Sequence, residues 1–136
     1  MRKITYRVTF TKDGEYTYDA VMFAGNCGVY TGEKKGHFSI SENQRRLSKN
    51  TDPKGLLENL FMMFYGYQEI SWLIRKTLEN CDDFDCAYKN LKHQPINALG
   101  YITLAGLKND EGVIFTRNHL DTAHEAHLNA TQWFLV

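Results

Sequence analysis

The cysteines are the residues of this chain most able to do covalent chemistry. Cys27 stands in the glycine-rich turn Gly25–Gly28, where a thiol could act as a nucleophile, but no histidine is placed nearby in the sequence to accept its proton. We therefore expect Cys27 to be a packed turn residue. Cys81 and Cys86 lack the spacing and the second ligand pair of a zinc site. We expect all three thiols to be reduced, with a Cys81–Cys86 disulfide as the alternative in an oxidising compartment.

A second group of polar side chains has the composition of a metal site. It contains three histidines and two carboxylates, at His119, Asp121, His124, Glu125 and His127. Their spacing differs from the HExxH pattern, which places two imidazoles on one face of a helix. We interpret these residues as a solvated loop and expect no metal. Nothing in the sequence calls for a cofactor.

The overall composition is that of a folded globular protein. The chain has 136 residues, of which 43% are hydrophobic and 24% are charged. Lys and Arg number 16, as do Asp and Glu, so charge gives no reason to expect nucleic acid as a partner. No apolar run approaches the roughly 18 residues of a transmembrane helix. The residues after Met1 alternate like a strand and do not resemble a signal peptide.

The elements that must position these side chains begin with a β-hairpin. Ile4–Phe10 alternates between apolar and polar residues, Lys12–Gly14 predicts a turn, and Glu15–Phe23 returns as the second strand. Two shorter strands are expected among the glycines that follow, at Val29–Thr31 and His37–Ser41. Strands this close in sequence should pair antiparallel.

The middle of the chain has the periodicity of helices. Apolar residues at helical spacing predict three of them, over Leu56–Phe64, Ile70–Leu78 and Phe84–Leu91. Asn50–Pro53 is a loop leading into the first helix, and Gly66 ends it. Asp82 or Asp83 would cap the third helix, and Pro95 marks its exit.

The last third of the chain returns to strands. We expect strands at Asn97–Leu104 and Val113–Thr116 around a turn at Lys108–Gly112, then a polar loop over His119–Asn129. A final strand is expected at Thr131–Val136. The order strands, helices, strands predicts an α+β fold with an antiparallel sheet, in one domain covering residues 1–136.

Three pieces of sequence, in this order, resemble the acid ceramidase and N-acylethanolamine-hydrolysing acid amidase family. They are the F-x-G-x-x-G-x-x-T-G pattern over Phe23–Gly32, the helix Ser71–Asn80, and the segment Glu111–Arg117. The resemblance runs from about Thr5 to Val136. It implies the αββα sandwich of the N-terminal-nucleophile hydrolases, of which this chain would form a part.

The resemblance also implies which residues act in catalysis. Members hydrolyse lipid amides with an N-terminal cysteine whose own amino group is the base, and Arg117 is the catalytic residue that maps onto this chain. Gln44 stands where similar members have glutamate. Leu107 stands where ceramidase-like members have an asparagine that could donate to the oxyanion, and leucine has no donor. The nucleophile would precede residue 1, which is Met1 here.

These departures lead us to expect a chain that is non-catalytic on its own and acts as a structural or interaction subunit. The alternative is part of an active lipid amidase, hydrolysing ceramide or an N-acylethanolamine, with its cysteine on another chain or segment. In both cases we expect another protein chain to complete the sheet, because strands at both ends of the sequence would otherwise expose unpaired backbone groups.

Two further features bear on ligand and compartment. Trp72 and the aromatic run Phe61–Tyr65 could line a groove for the acyl chain of a lipid amide, with the protein core as the alternative. Asn129 opens an Asn-x-Thr glycosylation sequon, which matters only in the secretory pathway. The resemblance implies a lysosomal or secretory protein.

Overall fold

The computed structural model of the chain describes residues 4–45, 53–129 and 131. In the first helix it describes the side chains only at Leu57 and from Leu60 onward. The elements in chain order are β1 (Thr5–Lys12), β2 (Glu15–Phe23), β3 (Thr31–Lys34), β4 (Phe38–Gln44), α1 (Pro53–Phe64), α2 (Ile70–Asn80), α3 (Phe84–His93), β5 (Gly100–Ala105), β6 (Gly112–Arg117) and β7 (Thr122–His127).

The strands form one antiparallel sheet in which the spatial order follows the chain order from β1 to β7. The three helices are inserted between β4 and β5, yet these two strands pair directly, with Ser41 opposite Thr103. Gln44, Gly100 and Arg117 therefore come to the same end of three neighbouring strands. The α+β class and the antiparallel sheet are confirmed.

One face of the sheet carries the core, and α2 and α3 cover it. Side chains alternate along a strand, so Tyr18, Ala20 and Met22 of β2 are buried under the helices while Val21 is exposed on the other face. The fully buried aliphatic and aromatic side chains come from both layers; they include Ile40, Ile102, Leu104 and Phe115 of the strands and Leu73, Ile74, Leu78 and Leu91 of the helices. Each stabilises the fold by about 1.5–3 kcal/mol.

The glycines of the F-x-G-x-x-G-x-x-T-G pattern allow α2 to lie close against the sheet. A Cβ on Gly28 would come within 1.7 Å of Ser71 Oγ, and one on Gly32 within 2.5 Å of a methyl group of Leu78. Ser71 and Leu78 are both buried residues of α2. A side chain at either glycine would push the helix off the sheet.

The corner between α2 and α3 is fixed by covalent and polar contacts. Cys81 and Cys86 form a disulfide, so the expectation of three reduced thiols is wrong and its alternative is the one observed. Asp83 caps α3 by accepting from the backbone N–H of Cys86, as predicted for this pair of aspartates. Lys34 of β3 reaches into the corner and donates to the Cys81 carbonyl at 2.8 Å and to the Asp82 carboxylate at 2.6 Å.

Two strand predictions need correction. The predicted polar loop over His119–Asn129 contains strand β7, which pairs with β6 through Phe115 opposite Glu125. Its polar side chains are compatible with a strand because β7 lies at the outer end of the described sheet. The short strand predicted at Val29–Thr31 begins only at Thr31, because Val29 is buried and bonds to the Ser71 carbonyl.

Some predicted segments lie outside the described residues. The strand predicted at Thr131–Val136 falls there except for Thr131, and the predicted loop Asn50–Pro53 falls there except for Pro53. Within the described residues, no helix is long and apolar enough to cross a membrane.

Helix α1 exposes most of its described apolar side chains. Phe64 is 83% exposed, Met63 60% and Phe61 56%, and Tyr65 just beyond the helix is 76% exposed. The predicted helix is confirmed, but these residues are not part of the described core. They form an apolar surface, defined here as Leu57, Leu60, Phe61, Met63 and Phe64, that no other described element covers.

Candidate functional site

A cleft opens at the sheet end where Gln44 and Gly100 lie. Its volume is about 640 Å³, and it is lined by the ends of β2 and β4, the start of β3, the segment just before β5 and the start of α2. Phe23, Ile70 and Leu99 give it apolar walls, and Glu42, Gln44 and Glu69 supply polar groups. This combination of apolar walls and a few convergent polar groups is typical of a small-molecule site.

Glu42 and Gln44 reach the cleft from the same strand. They are two residues apart on β4, so both lie on the side of the sheet that carries Ile40. Burial, and then the negative charge of Glu69, raises the pKa of Glu42 above its usual value. A carboxyl group whose pKa is raised in this way keeps its proton to higher pH and is better suited to donate one.

Glu69 faces this group from just before α2. Its carboxylate accepts hydrogen bonds from the Ser71 hydroxyl and, at 3.5 Å, from the Tyr30 hydroxyl. These bonds hold the carboxylate in place at the helix start, where the helix dipole favours negative charge. The cleft therefore contains two carboxyl groups in different settings: Glu69 accepts hydrogen bonds from two hydroxyl groups, and Glu42 is half-buried.

Arg117 lies at the same sheet end but is fully buried. Its guanidinium donates from Nη1 to the carbonyl of Leu91 and from Nη2 to the carbonyl of Gln94 at 2.6 Å. Burial lowers the pKa of Arg117 below its usual value, against a smaller opposing effect of Asp121. Its Nε has no hydrogen-bond acceptor among the described residues. In this arrangement Arg117 satisfies the last carbonyls of α3 and does not line the cleft.

The opposite face of the sheet holds a second depression, of about 370 Å³. Asp19 lies in it, 4% exposed, and binds Arg7 at 2.8 Å and Lys35 at 2.9 Å. Hydrogen bonds from Thr9, Lys35 and Arg7 hold the pKa of the Asp19 carboxyl well below its usual range. The carboxylate is already saturated with donors, so we interpret this cluster as a structural contact.

The remaining residues singled out from the sequence do not come together. Leu107 is 70% exposed in the turn between β5 and β6. Trp72 is 41% exposed on α2, with the guanidinium of Arg75 5.1 Å from its ring centroid. Cys27 is in the predicted turn, but its side chain is exposed rather than packed. Gln44 is the predicted site residue that the cleft includes.

The histidine group is also dispersed. Glu125 accepts from Tyr88 and binds Lys92 at 2.8 Å, with His127 at 3.3 Å, while His119 contacts the Ile96 carbonyl. No group of three or more metal-binding side chains occurs in residues 4–45, 53–129 and 131.

Sequence reasoning missed the pair Glu42 and Glu69. Glu42 carried a signal, because it continues the inward alternation of Phe38 and Ile40 and is therefore a carboxylate at an inward position. Glu69 carried none, because its approach to Glu42 depends on how α2 packs on the sheet.

Comparison with known proteins gives consistent matches along the chain. The N-acylethanolamine-hydrolyzing acid amidase of Caenorhabditis elegans is 34% identical over 100% of this chain and 38% of its own length. That of Rattus norvegicus is 36% identical over 87% of this chain and 31% of its own length. The acid ceramidase of Heterocephalus glaber is 30% identical over 100% of this chain and 34% of its own length. No family model matches the chain.

A solved structure agrees with these matches. The Caenorhabditis elegans N-acylethanolamine-hydrolyzing acid amidase (NAAA) ortholog superposes with a TM-score of 0.86 and 32% identity, over 98% of this chain and 56% of that chain. This chain belongs to the acid ceramidase and acid amidase family. Its fold is part of the N-terminal-nucleophile hydrolase fold, as the resemblance implied.

The match covers only part of each family member. The chain spans about a third of the length of the curated relatives it matches. Membership therefore assigns the fold of this part of the family's structure.

Proposed function

We propose that this chain is the sheet-and-helix scaffold of a lipid-amidase-type protein and is non-catalytic on its own. In this role it works as a structural or interaction subunit and supplies walls of the substrate cleft. Another protein chain or segment completes the sheet. The substrate class is a lipid amide such as a ceramide or an N-acylethanolamine, in keeping with the names of its relatives.

The position of Cys27 is the observation that carries this proposal. Cys27 is the free cysteine of the chain, since Cys81 and Cys86 are bonded to each other. Cys27 is exposed and does not line the cleft, and its backbone carbonyl accepts a hydrogen bond from Arg75 at 2.9 Å. A cysteine nucleophile needs a base and an oxyanion donor next to the bound carbonyl. In the part of the chain that the structure describes, the Cys27 thiol has no hydrogen bond to such a base or donor.

A second candidate is supported by the cleft itself. Glu42, Glu69 and Gln44 converge on a space of about 640 Å³ beside apolar walls. Such a site suits part of an active amidase whose nucleophilic cysteine is supplied by another chain or segment. Under this alternative Arg117 is a catalytic residue that meets the cysteine in the completed site.

Fluorogenic amide hydrolysis by the chain alone tests whether the chain is catalytic by itself. The chain alone should give background rates with ceramide and N-acylethanolamine substrates at acid and neutral pH, because an oriented nucleophile and its base supply most of the rate. Turnover by the chain alone that Cys27→Ala abolishes would overturn the scaffold proposal.

The alternative predicts a different result in the assembled protein. If the cleft takes part in catalysis, Glu42→Gln should lower kcat in the assembled protein, while the exposed Glu33→Gln on the other face should leave it unchanged. If the assembled wild-type protein hydrolyses no lipid amide, that result would favour the purely structural role.

A further inference from the structure

The cleft contains a carboxyl group that no described side chain pairs. The carboxyl group of Glu42 is half-buried, and the charged group that acts on it is that of Glu69. Within residues 4–45, 53–129 and 131 it takes part in no hydrogen bond or ion pair. Polar groups that are taken out of bulk water in a folded protein normally have a partner. An unpaired carboxyl group that lines a cleft therefore indicates a donor that a ligand would bring.

Gly100 makes room for this carboxyl group. A Cβ added to Gly100 would lie 3.2 Å from Oε1 of Glu42 and 2.5 Å from the Cδ1 methyl group of Ile70. Gly100 is buried and lies opposite Gln44 on the neighbouring strand. The Glu42 carboxyl group therefore reaches into the space that a side chain at residue 100 would take, at the sheet end where the cleft opens.

The charged side chains of the cleft are all of one sign. Glu42 and Glu69 both line it, and the described residues of the lining include no lysine, arginine or histidine. Glu69 already accepts from the hydroxyl groups of Ser71 and Tyr30, and its negative charge opposes ionisation of Glu42. A positively charged ligand group would relieve this repulsion and an anionic group would increase it, whereas a hydroxyl group would supply a hydrogen bond alone.

Two aromatic rings in the cleft independently favour the same kind of ligand group. Phe23 and Tyr30 both line the cleft, and their ring centroids are 6.3 Å apart. The face of such a ring attracts an ammonium group within about 6 Å. The apolar walls at Ile70 and Leu99 suit a hydrocarbon chain attached to that group. The cleft therefore has the composition of a site for an amphipathic cation.

We propose that Glu42 is a specificity-determining residue of the cleft and selects lipid amides whose amine part ends in an ammonium group. Acyl diamines are the simplest members of this class, with a fatty acyl chain, one amide bond and a short alkyl chain that carries the charge. The ammonium group donates to Glu42 beside Glu69, and the apolar walls contact the hydrocarbon. This inference rests on the proposed function, in which the cleft holds a lipid amide, and adds the head group that the cleft selects.

The test compares the binding of three lauroyl amides that differ only in the head group. Their amine parts are putrescine, aminobutanol and aminobutyrate, so that the terminal group is an ammonium, a hydroxyl or a carboxylate at neutral pH. Isothermal titration calorimetry uses the assembled protein, with each amide below the concentration at which it forms micelles. The Kd of the ammonium amide should be about tenfold lower than that of the hydroxyl amide, and the carboxylate amide should bind most weakly.

Variants then assign the preference to Glu42. Glu42→Gln should raise the Kd of the ammonium amide about tenfold, to that of the hydroxyl amide, and Glu69→Gln should weaken the same preference. The control is Glu33→Gln, which changes an exposed glutamate outside the cleft lining and should leave all three Kd values unchanged. A preference for the ammonium amide that survives in Glu42→Gln would overturn the proposal. Equal binding of the ammonium and hydroxyl amides by the wild type would also overturn it, and that comparison needs no variant to fold.

The binding experiment is independent of turnover. An assembled protein that hydrolyses no amide but prefers the ammonium amide through Glu42 would support this inference while the amidase alternative fails. An assembled protein that hydrolyses all three amides and binds them equally would keep the amidase alternative and overturn the role of Glu42.

Discussion

A buried guanidinium is stable only when its N–H groups have acceptors, and Arg117 has two at the end of α3. The carbonyls of Leu91 and Gln94 would otherwise be among the unpaired groups at a helix terminus. This residue therefore joins the last turn of α3 to strand β6. The same side chain is the one that family resemblance assigns to catalysis, so its packing and its chemistry need separate tests.

Removing the guanidinium should destabilise the fold strongly. Arg117→Ala should lower the free energy of unfolding of the assembled protein by about 3–5 kcal/mol, because two carbonyls lose their donors and a cavity forms. Urea denaturation followed by circular dichroism measures this. The control is Arg45→Ala, which removes one hydrogen bond at 3.1 Å to Asn118 and should cost about 1 kcal/mol. Equal losses in the two variants would contradict the helix-end role.

Glu42 should make stability depend on pH. Its pKa is raised by burial and then by Glu69, so the folded state holds the proton at a higher pH than the unfolded chain does. This residue stabilises the fold below its unfolded pKa of about 4.3, and that stability is lost as the pH rises through the folded pKa. Glu42→Gln should flatten the melting temperature across that window and raise it at neutral pH.

Thermal melts over the acid and neutral range measure the effect of Glu42. The matched control is Glu33→Gln, an exposed glutamate on the other face of the sheet. Identical pH profiles for the wild type and Glu42→Gln would show that Glu42 is not the group that titrates.

The sequence predicted one member of the cleft and missed its partners, for a physical reason. Gln44 was found through its place in a family motif. Glu42 and Glu69 meet only because α2 packs over the end of β4, which is a tertiary contact that no local pattern encodes. The acceptors of Arg117 on α3 were not predicted, because they are backbone carbonyls, whose positions a sequence pattern does not indicate.

The α2–α3 corner is the element most dependent on a covalent bond. Replacing both Cys81 and Cys86 with serine should lower the free energy of unfolding by about 2 kcal/mol, since the disulfide closes only a short loop of the unfolded chain. Chemical denaturation of the assembled protein measures the loss. A thiol reductant should reproduce it in the wild type and have no effect on the double variant.

Helix α1 should drive self-association of the chain when it is produced alone. Its apolar surface is uncovered by the other described elements, so Leu60→Gln with Phe61→Gln and Phe64→Gln should raise solubility and lower the apparent mass. Light scattering and size-exclusion chromatography measure this. As a control, Val21→Thr changes an exposed apolar residue outside α1 and should leave association unchanged. A wild-type chain that runs as a monomer would contradict the prediction.

The prediction of helices and strands from the sequence succeeded where the hydrophobic periodicity was strong. The hairpin of β1 and β2 and the helices α1, α2 and α3 were found from alternation and helical spacing. Strand β7 was missed because its histidines and carboxylates resemble a solvated loop. A strand at the outer end of a sheet needs only one paired side, so its composition is less constrained than that of a central strand.

At the scale of the whole molecule, the described sheet has β1 and β7 at its two outer ends. In the described structure each of these strands pairs on one side only, and Ile4 and Tyr6 beside or within β1 are 51% and 45% exposed. An edge of this kind favours pairing with further backbone. This agrees with the proposal that another chain or segment completes the sheet.

The insertion of three helices between β4 and β5 has a consequence for how the chain reaches its native state. Most strands of the sheet meet neighbours that follow closely in sequence, but Gln44 meets Gly100 only after a loop of about 55 residues has closed. Hairpins such as β1–β2 can form early, whereas the centre of the sheet must wait for that closure. We therefore expect the pairing of β4 with β5, beside the cleft, to be the slow step of folding. In an incompletely folded chain these two strands would remain unpaired.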